Sequence, residues 1–359
     1  LVFCSITVGI TSLGNLSLMG RVGLKAIIIY LLTTAFAITL ALIFAIFIEP
    51  GQGYEIDSSI QFSAKEAPSL SSVLTSIVPS NPILAMADGE MLQIILFAII
   101  LGIAITITGS KAESFKKGII SLNEIMMSMV TIVMKFAPLG VFCLIAKTFA
   151  TQGIDMIIPL ASYFFTVTIV LILHVFLTYS AFLKFIGKVS PFLFLKKMRT
   201  AIVFAFSTAS SNATIPVTLN TVEKRLGVDK SVASFTVPLG ATINMDGTAI
   251  MQGVATVFIA SVYMVDLTIG DYLTVVLTAT LASIGTAGVP GVGLIMLTMV
   301  LTQVGLPVEG VALIIGIDRL LDMMRTAVNI TGDSMVSLIT SQSEKSFNKS
   351  IFEDPKAGL

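Results

Sequence analysis

Residues 316–333 read GIDRLLDMMRTAVNITGD, and the character of the whole chain turns on them. Asp318, Asp322, Arg325, Asn329 and Asp333 are spaced 4, 3, 4 and 4 residues apart. At about 100° per residue on an α-helix, the five fall within an arc of roughly 80°. Leu320, Leu321, Met324, Ala327 and Val328 occupy the other faces. In a soluble protein such a stripe would meet water. The rest of the sequence argues against that.

The 359 residues are 55% hydrophobic and 12% charged, with a mean hydropathy of +0.98. Residues 26–48 and 91–109 carry no charge, and residues 156–183 hold only His174 besides Tyr163 and Tyr179. Each run can cross a hydrocarbon core of about 30 Å at about 1.5 Å per residue. The fold class is therefore an all-α polytopic membrane protein. A buried charge in that setting costs about 2.5–3.5 kcal/mol, so four ionisable groups on one helix face imply pairing and a task. Asp322 and Arg325 at i, i+3, with Asp318 two turns before Arg325, make a local ion pair available.

Several classes fall away. A net charge of zero and no basic cluster beyond the loops give no reason to invoke nucleic acid. One His and two Cys cannot build a zinc site, and Cys4 and Cys143 say nothing about redox compartment. The chain opens LVFCSITVGI, inside a hydrophobic element, so an earlier helix is expected upstream.

Loop charges set the topology. Arg21 and Lys25 suggest a cytoplasmic start, and residues 49–90, with six acids against Lys65 alone, an external loop. Lys111, Lys116 and Lys117 return the chain inside, a further span leads out towards Asp155, and Lys184, Lys188, Lys196, Lys197 and Arg199 mark a cytoplasmic loop. The run FAFSTASSNATIPVTLN then lies between two basic loops and is too polar to face lipid, which predicts a re-entrant hairpin. Asp271 and Glu309 bracket a second Gly-rich run, predicted to enter from the other side. The tips, TASSNATIP (208–216) and ASIGTAGVP (282–290), each precede a helix with an embedded Asn and Asp. Opposed interrupted segments in two halves point to an inverted repeat with its site near the midplane.

Three elements would bring polar atoms to that depth. PLGATINMDGT (238–248) would unwind and free carbonyls for a hard cation such as Na⁺, with Asp246 and Asp333 as neutralising ligands. Tyr30, Thr33 and Thr34 offer hydroxyls, although the threonines taken alone would bond back to their own helix. The Arg325 fork suits a carboxylate and Asp322 an ammonium, one turn apart. Residue chemistry thus points to an acidic amino acid.

NMDGT (244–248), the two tips and DMMRTAVNITGD (322–333) together resemble the glutamate/aspartate transporter family, the dicarboxylate/amino acid:cation symporters, over residues 1 to about 339. The resemblance implies a homotrimer in the cell membrane whose N-terminal helix and part of the next are missing from this chain. It implies a scaffold of residues 1–24 and 49–155 and a transport domain of residues 25–48 and 156–345 that moves as an elevator. It implies further that Arg325 binds the substrate side-chain carboxylate and Asp322 the amino group. Asn329, Ser210 and Ser211 would take the α-carboxylate, with Thr248, Thr326, Val289 and Gly293 completing the pocket. Several sodium ions are implied: one on Gly240, Asn244, Asn329 and Asp333, a second on Thr242, Ser283, Ile284 and Thr286, a third on Tyr30, Thr33, Thr34, Asn244 and Asp246. Asp318 would brace Arg325, with Met245 supporting these groups from behind. The second arginine of archaeal or animal members is replaced by Ala209 and Met323, and Arg319 lies on the side away from Arg325.

Sodium rather than proton coupling is expected. Animal members, which co-transport a proton, carry a glutamate where Gln252 stands here, and residues 26–48 hold no Asp, Glu, His or Lys. The alternatives are a proton-coupled C4-dicarboxylate or glutamate symporter, an anion channel, and a membrane-embedded hydrolase using Asp246 and Asp333. The last lacks a nucleophile–base–orienter set. Asp322 speaks against a C4-dicarboxylate, which brings no ammonium.

Overall fold

The computed structural model of the chain describes residues 2–11, 16–52, 78–88, 91–136, 139, 142, 143, 146, 157–284, 286, 288–355, 357 and 358. Most of the acidic segment after Glu49, and Asp155, lie outside them. No strand occurs among the described residues. α1 (Val2–Thr11), α2 (Leu16–Ile48), α3 (Pro82–Asp88), α4 (Met91–Thr108) and α5 (Glu113–Met134) come first. α6 (Ile157–Leu173) runs on into two π-helical stretches, His174–Tyr179 and Phe182–Ile186. α7 (Pro191–Thr208) and α8 (Ser211–Lys224) form one helical pair, and α11 (Ile269–Ser283) and α12 (Val292–Gln303) a second. Between them lie α9 (Lys230–Ile243) and α10 (Asp246–Val262), and α13 (Val311–Ser343) and α14 (Lys349–Glu353) close the chain.

Among the described residues, four stretches are long and apolar enough to span a membrane: Gly20–Ile48, Leu96–Met126, Ile158–Ile186 and Lys230–Val262. The first three expose large apolar side chains, among them Phe36, Phe47, Ile103, Ile107, Phe165 and Phe176. Such a surface suits hydrocarbon as its solvent. The fourth is enclosed by protein almost throughout. This is a multi-pass membrane protein.

α10 is the hub. Apart from Ser261, every one of its residues is buried, against α2, α6, α11, α12 and α13. A helix apolar on all sides belongs inside. The main core joins α2, α6 and α7 to α13, while a separate small cluster of Ile6, Ala98, Ala282, Val292, Met296 and Met299 joins α1 and α4 to the second pair. The expected boundary between residues 24 and 25 falls within the single helix α2.

The first tip is much tighter than the nine residues expected. Ala209 takes the left-handed conformation (φ 49°), and Ser210 caps α8 by accepting from the Ala213 N–H. That cap makes residues 211–216 helical, Pro216 included. The second tip is longer, from Ile284 to Gly291, whose φ of 82° favours glycine. The break expected from the glycines and proline around residue 240 is confined to Asn244 and Met245, because α9 absorbs Pro238 and Gly240.

Two contacts fasten the base of the first pair. Lys197 is buried, and its Nζ donates to the carbonyls of Arg225 and Ile351, both at 2.7 Å, beneath the Phe352 ring. The Asn348 N–H donates to Gly227 O at 2.8 Å. At the same end, Arg21 and Lys25 of α2 pair with Glu344 beyond α13. The cytoplasmic ends assigned from loop charge therefore meet on one side.

Lys197→Met should lower stability by about 2 kcal/mol, since it keeps the stem but leaves two buried carbonyls without a donor. A thermal melt of purified protein checks this, and an unchanged midpoint would contradict it. A Cβ on Gly247 would lie 2.6 Å from the Arg325 carbonyl oxygen and 2.8 Å from its Cα, backbone that cannot give way. Gly247→Ala should therefore destabilise by about 1–3 kcal/mol. Gly118→Ala, with nothing within 4 Å, should leave the melt unchanged or raise it.

Candidate functional site

The charged stripe of α13 is turned inward. Asp318, Asp322, Arg325, Asn329 and Asp333 are all buried, and Arg325 has no exposed surface. Its Nη1 donates to Asp318 Oδ1 at 2.6 Å and its Nη2 to Asp318 Oδ2 at 3.2 Å, a two-pronged pair. Nη2 also donates to Asp322 Oδ1 at 2.8 Å. One cation thus sits between two carboxylates, as the spacing on the helix predicts. Arg325 Nε is buried and has no partner among the described residues. Arg319 is exposed, on the side away from this cluster.

Above the cluster the two tips meet. Ser210 Oγ donates to Gly288 O at 2.7 Å, and the Asn212 N–H donates to the same oxygen at 3.1 Å. They cover a cavity of about 10 Å³, room for little more than one water. Of the expected substrate groups, Ser211, Thr248, Val289, Gly293, Asp322, Thr326 and Asn329 line it, joined by Ala209, Met245, Thr286 and Gly288. Ser210 and Arg325 do not line it. Ser210 is taken up in the contact between the tips, and Arg325 is taken up by its two carboxylates. An amino acid therefore enters only if these walls part. A larger cavity of about 520 Å³, against Glu49, Asp266 and Tyr272, holds none of the expected residues.

Asp322 needs no ammonium. Its Oδ2 accepts from the Gly291 N–H at 3.1 Å while Oδ1 accepts from Arg325. The reason for setting a C4-dicarboxylate aside therefore fails on this geometry.

The expected cation ligands divide unevenly. Asn244 Nδ2 donates to Asp333 Oδ1 at 2.9 Å and to Asn329 O at 3.2 Å, and Gly240 packs so closely on Asp333 that a Cβ would lie 2.4 Å from Oδ1. These four residues converge. With Nδ2 fixed by two acceptors, Asn244 Oδ1 is a buried oxygen without a donor, the kind of group a hard cation would satisfy. Asn329 Oδ1, by contrast, accepts from the Gly247 N–H at 2.8 Å. Asn329 Nδ2 lies 3.3 Å from Met245 Sδ, and Met245 itself lines the cavity. In the second set, Thr242, Ser283 and Thr286 turn their hydroxyls back on their own segments, to Leu239 O, Thr280 O and Ala282 O, next to Ile284.

The third set is only partly assembled. Thr34 Oγ1 donates to Asp246 Oδ1 at 2.6 Å, so it does not bond back to its helix, whereas Thr33 does, to Tyr30 O. Tyr30 OH donates to Thr236 O at 3.0 Å. Two residues without an expected role complete the shell of Asp246: Tyr179 OH donates to Oδ2 at 2.8 Å, and His174 Nε2 lies 3.2 Å from it. On an α-helix residues five apart point about 140° away from each other. A π turn, bonded i to i+5, brings them together, and the ring centroids are 4.6 Å apart. The available signal was that His174 stands in a span otherwise free of charge.

Comparison with known proteins places this geometry in a family. The chain matches the sodium:dicarboxylate symporter family over residues 1–343. It is 35% identical to the proton/sodium-glutamate symport protein of Bacillus caldotenax, covering 97% of this chain and 85% of that one. It is 34% identical to the proton/glutamate-aspartate symporter of Escherichia coli strain K12, covering 97% and 82%. It is 32% identical to the C4-dicarboxylate transport protein of Bacillus subtilis strain 168, covering 97% and 84%. These relatives are transporters, which leaves the hydrolase reading without support. A buried arginine between two carboxylates, beneath two touching tips and beside an asparagine oxygen open to a cation, thus belongs to a member of the sodium:dicarboxylate symporter family.

Proposed function

We propose that this chain is a sodium-coupled symporter of acidic amino acids, within the coarser function its family supports, cation-coupled symport of dicarboxylates or acidic amino acids. The observation that carries the reading is Arg325, a fully buried guanidinium directly behind Asp322, which lines the small cavity under the tips. An incoming side-chain carboxylate takes Arg325 N–H groups in a forked pair, with Asp318 keeping the guanidinium in place. Asp322 receives the amino group in addition to its present donors, since a carboxylate has about four acceptor positions. Asn329, Ser211 and the first tip take the α-carboxylate. Thr248, Thr326 and the backbone at Val289 and Gly293 close the sides.

Sodium is carried with the substrate. Asn244 Oδ1, the Asp333 carboxylate and the carbonyls of Gly240 and Asn329 form one site. Asp246 with Thr34 and the region of Tyr30 and Thr33 forms another. Thr242, Ser283, Ile284 and Thr286 form the third once their hydroxyls turn. Ion binding precedes closure of the second tip, and the two are reciprocally linked. The two helical pairs act as re-entrant hairpins entering from opposite sides. Residues 25–48 and 156–345 move as an elevator against residues 1–24 and 49–155 in a homotrimer.

A second reading is supported by the satisfied state of Asp322: a C4-dicarboxylate would engage Arg325 without leaving that carboxylate bare. Competition by succinate against labelled aspartate in proteoliposomes separates the two. Effective competition by aspartate and glutamate, with succinate weak, favours the amino-acid reading.

Uptake should require sodium, and aspartate affinity should rise with sodium concentration more steeply than first order. Asp333→Asn should flatten that dependence. Uptake that persists with choline in place of sodium and follows only an inward proton gradient would contradict the coupling. Arg325→Cys should abolish aspartate and glutamate binding while sparing or creating affinity for small neutral amino acids, because a buried substrate carboxylate would lose its partner, a loss of about 3–5 kcal/mol. Unchanged aspartate affinity in isothermal titration of that variant would sink the assignment.

A further inference from the structure

The second tip is held at two points, one on each side of Val289 and Pro290. On one side Gly288 O accepts from the Ser210 hydroxyl and the Asn212 N–H of the first tip. On the other, the Gly291 N–H donates to Asp322 Oδ2 at 3.1 Å. Gly291 is the left-handed residue that opens α12, so its N–H is free of any helical bond. The acceptor is a carboxyl side chain on a different element, 31 residues away.

The same carboxylate serves Arg325. Oδ1 accepts from Nη2 at 2.8 Å, and Oδ2 accepts from the tip. We propose that Asp322 is a positioning residue for the second tip: it holds Gly291, and with it the pocket wall at Val289, in register with the Arg325 guanidinium. One carboxylate thereby ties the place where an anion binds to the segment that covers it. The inference rests on the proposed function only in treating the cavity under the tips as the transport pocket. The role of Asp322 towards an amino group is separate from it. The tip backbone supplies the donor that orders Oδ2. Ala209, which lines the pocket at the first tip, brings no side chain that could do so.

Asp322→Asn tests this. Asparagine keeps the shape but has one acceptor oxygen for two donors. The guanidinium, a charged donor, retains that oxygen, and the Gly291 N–H loses its acceptor. Asp318 still neutralises Arg325, so the buried charge stays balanced. Hydrogen exchange of the purified full chain, in sodium without amino acid, should show the peptide across residues 284–292 exchanging roughly tenfold faster or more, the scale of a lost hydrogen bond to a charged group. Peptides from α10 should keep the parent rate. Asp322→Glu, which keeps two acceptor oxygens, should exchange more slowly at the tip than Asp322→Asn. A tip rate equal to the parent in Asp322→Asn would overturn the proposal, and so would a rise spread evenly over α10, α13 and both tips. Adding aspartate to the parent tests the functional reading on its own. Absence of added protection there would count against that reading and leave the tip result standing.

Discussion

The structure depends on keeping one guanidinium ionised where no water reaches it. Arg325 has no exposed surface, and two carboxylates of its own helix, Asp318 and Asp322, surround it. An uncompensated charge at that depth is costly, so the three residues must move as a unit. Their spacing on α13 makes this possible without help from another helix. The remainder of the fold then has to enclose α13 on the side the charges face. α10 does so at backbone distance, with Gly247 against Arg325 and its N–H on Asn329. The tips of the two helical pairs close the space that remains.

That arrangement turns binding into an exchange of partners. Asp322 already holds an N–H of Arg325 and an N–H of the covering tip, so on the proposed function an arriving carboxylate competes for donors that are already engaged. The cavity of about 10 Å³ shows how completely the side chains fill this space. On the proposed function, specificity among anions comes from what each ligand offers Asp322 once it has claimed Arg325. On this view the ammonium of an amino acid adds affinity without being required to satisfy a buried charge. Relatives at 35% and 32% identity, one for glutamate and one for C4-dicarboxylates, show that the family spans both kinds of ligand.

Much of this was legible in the sequence because it obeys the 3.6-residue period. The inward stripe of α13 and the pairing of Arg325 with Asp318 and Asp322 follow from residue type and spacing, whereas the meeting of Asn244 with Asp333, 89 residues apart, was implied only by the family resemblance. Three features escaped for identifiable reasons. His174 and Tyr179 share Asp246 only because the end of α6 is π-helical, and no period counted at 100° per residue places them together. Thr34 and Thr33 look alike in sequence, yet only Thr34 faces α10, which the tertiary packing of α2 decides. The extent of the first tip was overestimated because a run of Ser, Thr and Asn reads as loop, whereas Ser210 caps a helix that takes in the rest. Composition gave the location of each tip, and capping set its length.

The central claim, that Arg325 is the anchor for a substrate carboxylate beneath the two tips, is tested most directly by a structure determined with sodium and L-aspartate bound. The account predicts ligand density in the space lined by Thr248, Asp322, Thr326 and Asn329, with the side-chain carboxylate in forked contact with Arg325. It also predicts an ion beside Asn244 Oδ1. Density for aspartate elsewhere, with Arg325 still held by both Asp318 and Asp322, would contradict it.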